Sequence, residues 1–325
     1  MQRWAALAMT RFVARRLVET LVVLFVMSVC IYGLIGLMPG DPIDLMLTAD
    51  PKLTAADVAR LKALYGLNQP LIDRYLAWLA AAAHGDFGFS RLQAQPVMQV
   101  LAPRLLNTLL LMGLSLVAAL VIAIPAGVWA AARPRSLADH AINLFAFAGM
   151  SVPAFWLGIL LIILFAIILG VLPASGTATV GDGGLADRAT YLILPVATLT
   201  IVTVGGQLRY VRSAMLEVLR QDFIRTARAK GASPARLLYG HALRNAMIPF
   251  VTILALDFGT LFSGALIVEN VFTYLGMGKT IYDAIMGNDY NLAMVGLLLG
   301  TTAVLLSNLA ADLAYAWLDP RITYR

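Results

Sequence analysis

LLNTLLLMGLSLVAALVIAIPAGVWAA, residues 105–131, runs for 27 positions without a charged side chain. A helix needs about 20 apolar residues to cross about 30 Å of hydrocarbon, whereas a membrane barrel strand is a short segment of alternating polarity. The stretch therefore reads as a transmembrane helix. Five other runs read the same way, at residues 17–38, 142–172, 191–211, 247–268 and 292–317. Of the 325 residues, 60% are hydrophobic and 13% charged, about half the charge of a soluble domain. The expected fold class is all-α, a polytopic membrane protein with six transmembrane helices in a lipid bilayer.

Working outward from that run, residues 1–16 form a basic cytoplasmic or interfacial segment, with Arg3, Arg11, Arg15 and Arg16 among Trp4, Leu7 and Phe12. Residues 17–38 are the first span. They exceed the about 7–15 apolar residues of a signal peptide and run into Pro39-Gly40-Asp41-Pro42, so they read as a retained anchor. Residues 39–104 form an extracytoplasmic excursion of short helices. Thr54 caps one, with Leu53 and Val58 as its staple and Gly66 as its stop. Pro70 is the first residue of another, which ends at Gly85. Residues 105–317 hold five spans and a polar loop at 212–246, and residues 318–325 are a tail. Pro153 lacks a backbone donor and is expected to kink the third span.

With the N-terminus inside, cytoplasmic segments carry sixteen Lys and Arg against eight outside, and four Asp and Glu against eleven. Basic residues beside spans stay on the cytoplasmic side. Both termini and the loop at 212–246 are accordingly placed in the cytoplasm, and the net charge of +6 is topological. It implies no nucleic-acid partner.

Catalytic chemistry has little to work with. His84, His140 and His241 fall in separate segments, and Cys30 reads as a small packing residue in the first span. Neither gives a disulfide or metal-ligand spacing, so no metal site is expected. Gly278-Lys279-Thr280 looks like the end of a phosphate loop, but Thr273 stands where the first glycine belongs. Asp257 is the carboxylate placed well inside a span, where insertion costs about 2.5–3.5 kcal/mol. It should face a cavity or bond to a neighbouring helix. Asp257, Ser263 and Met150 are the candidates for a substrate path.

The most organised polar passage is QDFIRTARAKGASPARLLYGHALRNAMIP, residues 221–249. A short helix from Asp222 to Lys230 has an acidic start and a basic end (Arg228, Lys230), both matched to the helix dipole, and Gly231 stops it. Ser233 and Pro234 start the next helix as cap and first residue, and that helix passes His241 into the membrane near Pro249. Leu216, Leu219 and Phe223 share one face of the incoming arm. A short helix between two membrane-entering arms is a lever.

The passages Arg225-Thr226-Ala227-Arg228-Ala229-Lys230-Gly231 and His241-Ala242-Leu243-Arg244-Asn245-Ala246-Met247-Ile248-Pro249 resemble the E-A-A loop of ABC importer permeases. They are most similar to the dipeptide, oligopeptide and nickel branch, where Arg225 replaces the Glu of the general form. Pro39-Gly40-Asp41-Pro42, Tyr65-Gly66-Leu67-Asn68-Gln69-Pro70-Leu71, Gly85-Asp86-Phe87-Gly88-Phe89-Ser90, Pro153-Ala154-Phe155-Trp156, Gly276-Met277-Gly278 and Leu318-Asp319-Pro320-Arg321-Ile322 resemble that branch in the same order. They match the first of its two permeases.

The resemblance implies a type I ABC importer permease fold and no catalytic residue in this chain. It implies a homologous second permease, two cytoplasmic ATPase subunits that bind ATP and Mg, and an extracytoplasmic substrate-binding protein, all at a bacterial inner membrane. Phe223, Ile224 and Ala227 would be the apolar knobs of the ATPase contact, with charge from Arg225 and Arg228. Di- or oligopeptides are the expected cargo, with nickel, glutathione or a sugar as alternatives in the same class. An ion-coupled secondary transporter, a membrane enzyme and a structural scaffold are the readings from other classes.

Overall fold

The computed structural model describes residues 2–37, 69–181 and 183–318. The expectations for residues 39–42, for the Thr54-capped helix and for residues 319–325 lie outside them. The described chain is mostly helical. In order it forms α1 (Gln2–Gly36), α2 (Leu71–Ala83), a hairpin of β1 (Phe89–Ser90) and β2 (Gln95–Pro96), α3 (Val97–Ala132), α4 (Leu137–Ser151) and α5 (Ala154–Leu161). A wide-turned π segment (Ile162–Ile168) extends α5. Then come α6 (Leu185–Val218), α7 (Asp222–Ala229), a second π segment (Arg236–Leu243), α8 (Arg244–Val271), α9 (Met277–Met286) and α10 (Tyr290–Leu318).

Among the described residues four helices are long and apolar enough to cross a membrane: Val13–Gly36 within α1, then α3, α6 and Tyr290–Leu313 within α10. The pair Leu137–Ser151 and Ala154–Ile168 makes a fifth if it counts as one broken span. The remaining expected span falls on α8, whose 28 residues rise about 42 Å at the usual 1.5 Å each. The expected N-terminal segment and first span share one helix, α1, continuous from Gln2. One expectation changes. Pro153 does not merely kink the third span but breaks it, with a bend of 100°. Proline disfavours the helical conformation of the residue before it. Val152 accordingly takes φ −89° and ψ 126°, and Pro153, at φ −60° and ψ 134°, becomes the N-cap of α5.

The helices gather into two compact units. One comprises residues 1–15, 108–275 and 304–325. Its α4 and α6 pack backbone to backbone: a Cβ on Gly205 would run into the Ala146 carbonyl, and one on Gly149 would stand 2.7 Å from the Ile201 carbonyl. Small residues allow this approach, and dispersion rather than water drives it in a bilayer. Leu111, Met112, Leu194, Leu199, Leu261 and Phe272 form one buried cluster of the unit.

The second unit comprises residues 16–107 and 276–303. Tyr75 of α2 shares a 2.8 Å hydrogen bond with Ser28 and meets the Tyr32 ring edge-on at 5.3 Å. Cys30 is exposed rather than packed inside the chain, because α1 buries a narrow stripe at Ser28, Ile31 and Ile35. The excursion also contains a hairpin where only short helices were expected. It is held from afar: Asp289, buried between α9 and α10, accepts from Ser90 Oγ at 2.6 Å and from the Leu92 amide at 2.9 Å. α2 begins one residue late, with Pro70 as its N-cap rather than its first residue.

The α4–α6 crossing yields a paired test. Gly205→Ala should lower the thermal midpoint of the purified protein, at an overpacking cost of about 1–3 kcal/mol. Gly206→Ala, whose Cβ meets nothing within 4 Å, should leave the midpoint unchanged or raise it slightly. Equal midpoints for the two variants would refute the close crossing.

Candidate functional site

The polar loop carries the most tightly specified local geometry of the chain. Gln221 is extended and α7 begins at Asp222, with the acid in its first turn and Arg228 in its last. At the other end Gly231 takes φ +80°. The Gly231 amide donates to the Arg228 carbonyl at 3.0 Å and the Ala232 amide to the Ala227 carbonyl at 3.1 Å. This is a Schellman closure, which satisfies two end carbonyls and favours glycine at the left-handed position. Ser233 Oγ then accepts from the Arg236 amide at 3.4 Å, and the Ser233 carbonyl from the Leu237 amide at 2.9 Å. The next helical stretch thus starts at Ser233-Pro234, passes half-buried His241, and enters α8 with Pro249 exposed on its surface.

α7 is docked through one side chain. Ile224 is 1% exposed. It sits in a cluster with Val128 and Ala131 of α3, Val211 and Met215 of α6, Leu237 and Ala242 of the π segment, and Ala246 and Phe250 of α8. Ala227, three residues on, packs at the edge of that cluster. Ile224 therefore points into its own chain, and the expectation of it as an outward knob is corrected, whereas Ala227 is partly covered and keeps some exposed surface. Residues i and i+3 share a helix face, and the spans cover this one. Phe223, rotated onto the neighbouring face, is 43% exposed, so it does not continue the stripe of Leu216 and Leu219. Asp222, Arg225, Arg228 and Lys230 are also exposed. The 3.3 Å Arg225–Asp222 pair is open to solvent at both ends and contributes little. The outer surface of α7 thus offers one aromatic ring amid charge, and the inner face packs on α3, α6 and α8.

The candidates for a substrate path are dispersed. Asp257 and Ser263, six residues apart on α8, lie about 120° apart around a helix of 3.6 residues per turn. Met150 belongs to the α4–α6 crossing, where its Cγ lies against Gly205. Asp257 is half-buried. The Gln207 amide of α6 lies beside its carboxyl without closing a hydrogen bond of normal geometry, and both amide atoms are buried and unpaired among the described residues.

Other buried polar groups escaped the sequence reading. Asp139, in the first turn of α4, is 3% exposed. It holds Arg212 by two hydrogen bonds, from Nε at 2.6 Å and Nη2 at 2.7 Å. Ser136-Leu137-Ala138-Asp139 was a visible signal, since Ser136 caps α4 and accepts from the Asp139 amide at 3.2 Å. Glu269, one residue beyond the expected end of its span, is fully buried and accepts from Thr108 Oγ1 at 2.5 Å. The histidines His84 and His140 each bond their own helix, to the Ala80 and Ser136 carbonyls, both at 2.8 Å.

Residues 123–324 match the family described as binding-protein-dependent transport system inner membrane component, and residues 9–112 match the N-terminal family of the same membrane component. The oligopeptide transport system permease protein AppB of Bacillus subtilis strain 168 is 40% identical over 97% of this chain and 100% of its own. The di/tripeptide transport system permease protein DppB of Pseudomonas aeruginosa is 37% identical over 98% and 100%. The dipeptide permease DppB of Escherichia coli K12 is 35% identical over 98% and 100%. Among solved structures, a chain of the MetNI methionine ABC transporter in an inward-facing form is similar in fold. It gives a TM-score of 0.56 at 21% identity, over 68% of this chain and 97% of that one.

The docking geometry predicts opposite outcomes for adjacent residues. Ile224→Ala should cost about 2–5 kcal/mol, as for other fully buried aliphatic truncations, and lower the unfolding midpoint. Phe223→Ala should shift it by less than about 0.5 kcal/mol, as surface changes do. A larger loss for Phe223→Ala in thermal unfolding would reverse the assignment of faces.

Proposed function

Because this chain belongs to the binding-protein-dependent transport system inner membrane component family, we propose that it is the permease subunit of an ATP-driven importer of di- or oligopeptides. The observation that carries the cargo is likeness along nearly the whole chain to peptide permeases of three bacteria. In this reading the chain works beside a homologous second permease in the inner membrane, with both termini in the cytoplasm. Of the two ATPase subunits, which bind ATP and Mg, one docks on the outer surface of α7 and the other on the second permease. A binding protein delivers peptide to the other side, where the excursion offers a platform.

The step assigned to this chain is mechanical. Closure of the ATPase pair displaces α7, and Ile224 passes the displacement to α3, α6 and α8, reshaping the path between inward-open and outward-open states. Only contacts that differ between the two states can shift their balance. Phe223, Arg225, Arg228 and Lys230 supply the contact with the ATPase. The Schellman closure at Gly231 keeps α7 a separate rigid stub rather than an extension of the next helix.

Gly231→Pro removes both the left-handed turn and the amide that bonds Arg228. It should abolish uptake of labelled dipeptide in cells and release the ATPases on purification, while membrane insertion persists. Uptake at the wild-type rate would refute the lever. Transport by the purified chain without ATPase subunits would point to an ion-driven carrier instead. A peptide panel on the partner binding protein tests the cargo separately.

A further inference from the structure

The contacts between α4 and α6 step in antiparallel order: Asp139 with Arg212, Ala146 with Gly205, Gly149 with Ile201. Near the Asp139 end an open cleft of about 410 Å³ is lined by Asn143, Gly206, Arg209, Tyr210, Arg212 and Ser213. Two guanidiniums face it, but they are not equivalent. The charge of Arg212 is taken by Asp139. Arg209 is exposed, lies 4.7 Å from the centre of the Phe147 ring, and pairs with no carboxylate among the described residues. Arg133 and Arg135, exposed on the turn that leads into α4, add positive charge at the same end.

Beside the cleft the exposed surface turns apolar: Phe147, under the Arg209 guanidinium, is 50% exposed, and Ile201, at the Gly149 crossing, is 37% exposed. A cation with a hydroxyl beside it (Ser213), continued by an oily flank, matches a molecule with an anionic head and hydrocarbon tails. A soluble anion would gain nothing from the flank. We propose that this cleft is a binding site for an anionic phospholipid of the cytoplasmic leaflet, with Arg209 holding the phosphate. Basic clefts between membrane helices on that side attract anionic headgroups, and a guanidinium suits a phosphate through paired donors. A lipid held there bridges α4 to α6, the helix that leads into α7. The leaflet rests on the orientation proposed above, whereas the binding chemistry does not.

The test uses the whole purified transporter and native mass spectrometry with added phosphatidylglycerol. The wild-type complex should retain phosphatidylglycerol in preference to phosphatidylcholine. Arg209→Gln should lose one such lipid per permease, with affinity reduced about five- to tenfold for the loss of one interfacial cation, while Arg209→Lys keeps part of it. Arg188→Gln, expected on the opposite side, should change nothing. Glycerol phosphate at millimolar concentration should not displace the lipid. Retention of the same adducts by Arg209→Gln would overturn the proposal, as would displacement by glycerol phosphate, which would mark a soluble-anion site. The leaflet is read separately, from Arg135→Cys in a Cys30→Ala chain. Labelling by an impermeant thiol reagent from outside would refute the orientation and leave the lipid count standing.

Discussion

Ile224 is the side chain through which a charged eight-residue helix is joined to membrane helices, and its burial is the constraint around which the loop is built. An isolated helix of that length is unstable in water, so α7 persists because Ile224 is covered and Ala227 partly so and because its last carbonyls are closed by the turn at Gly231. The packing also fixes which residues remain outside. Once 224 and 227 face the spans, 222, 223 and 225 have nowhere to point but away. The exposed contact surface of α7 is thus a by-product of how it is anchored.

Most of this architecture is legible in the amino-acid sequence because a bilayer permits so few alternatives. Lipid cannot satisfy backbone donors and acceptors, so a long apolar run must be helical. The ends of α7 were equally readable, since the dipole charges, the stopping glycine and the Ser-Pro restart are local signals. Which way α7 faces was not. In Asp222-Phe223-Ile224-Arg225 two adjacent apolar residues compete for one inward position, and the pocket formed by Val128, Met215 and Phe250 decides between them. The break at Pro153 was legible as a site but not as an angle, because the angle depends on the packing of α4 and α5 against α6 and α8. The burial of Asp139 and Glu269 was illegible for one reason. Each lies within a few residues of a span end, where a sequence cannot say whether a carboxylate turns to solvent or inward to Arg212 or Thr108.

Those inward acids are expensive choices. A carboxylate taken out of water is tolerated when its hydrogen bonds are replaced and its charge is opposed, and Asp139 satisfies both conditions with Arg212, Asn143 and the Arg135 amide. Asp257 has the Gln207 amide beside its carboxyl but no cation among the described residues to oppose its charge. Its neighbour Gln207 is buried with its own amide unpaired. The first arrangement locks two helices together, whereas the second leaves polar capacity between α6 and α8.

The bend at Pro153 also bears on how the protein is made. Each half of the broken span, Leu137–Ser151 and Ala154–Ile168, rises about 22 Å, too little to bridge about 30 Å of hydrocarbon. The backbone groups freed at Val152 and Pro153 need cover from protein rather than lipid. Synthesis runs from the N-terminus, so α4 and α5 leave the ribosome before the helices α6 and α8 that pack against them. The segment cannot settle into its bent form as it emerges. Its bent form is completed only once α6 and α8 have followed it into the bilayer.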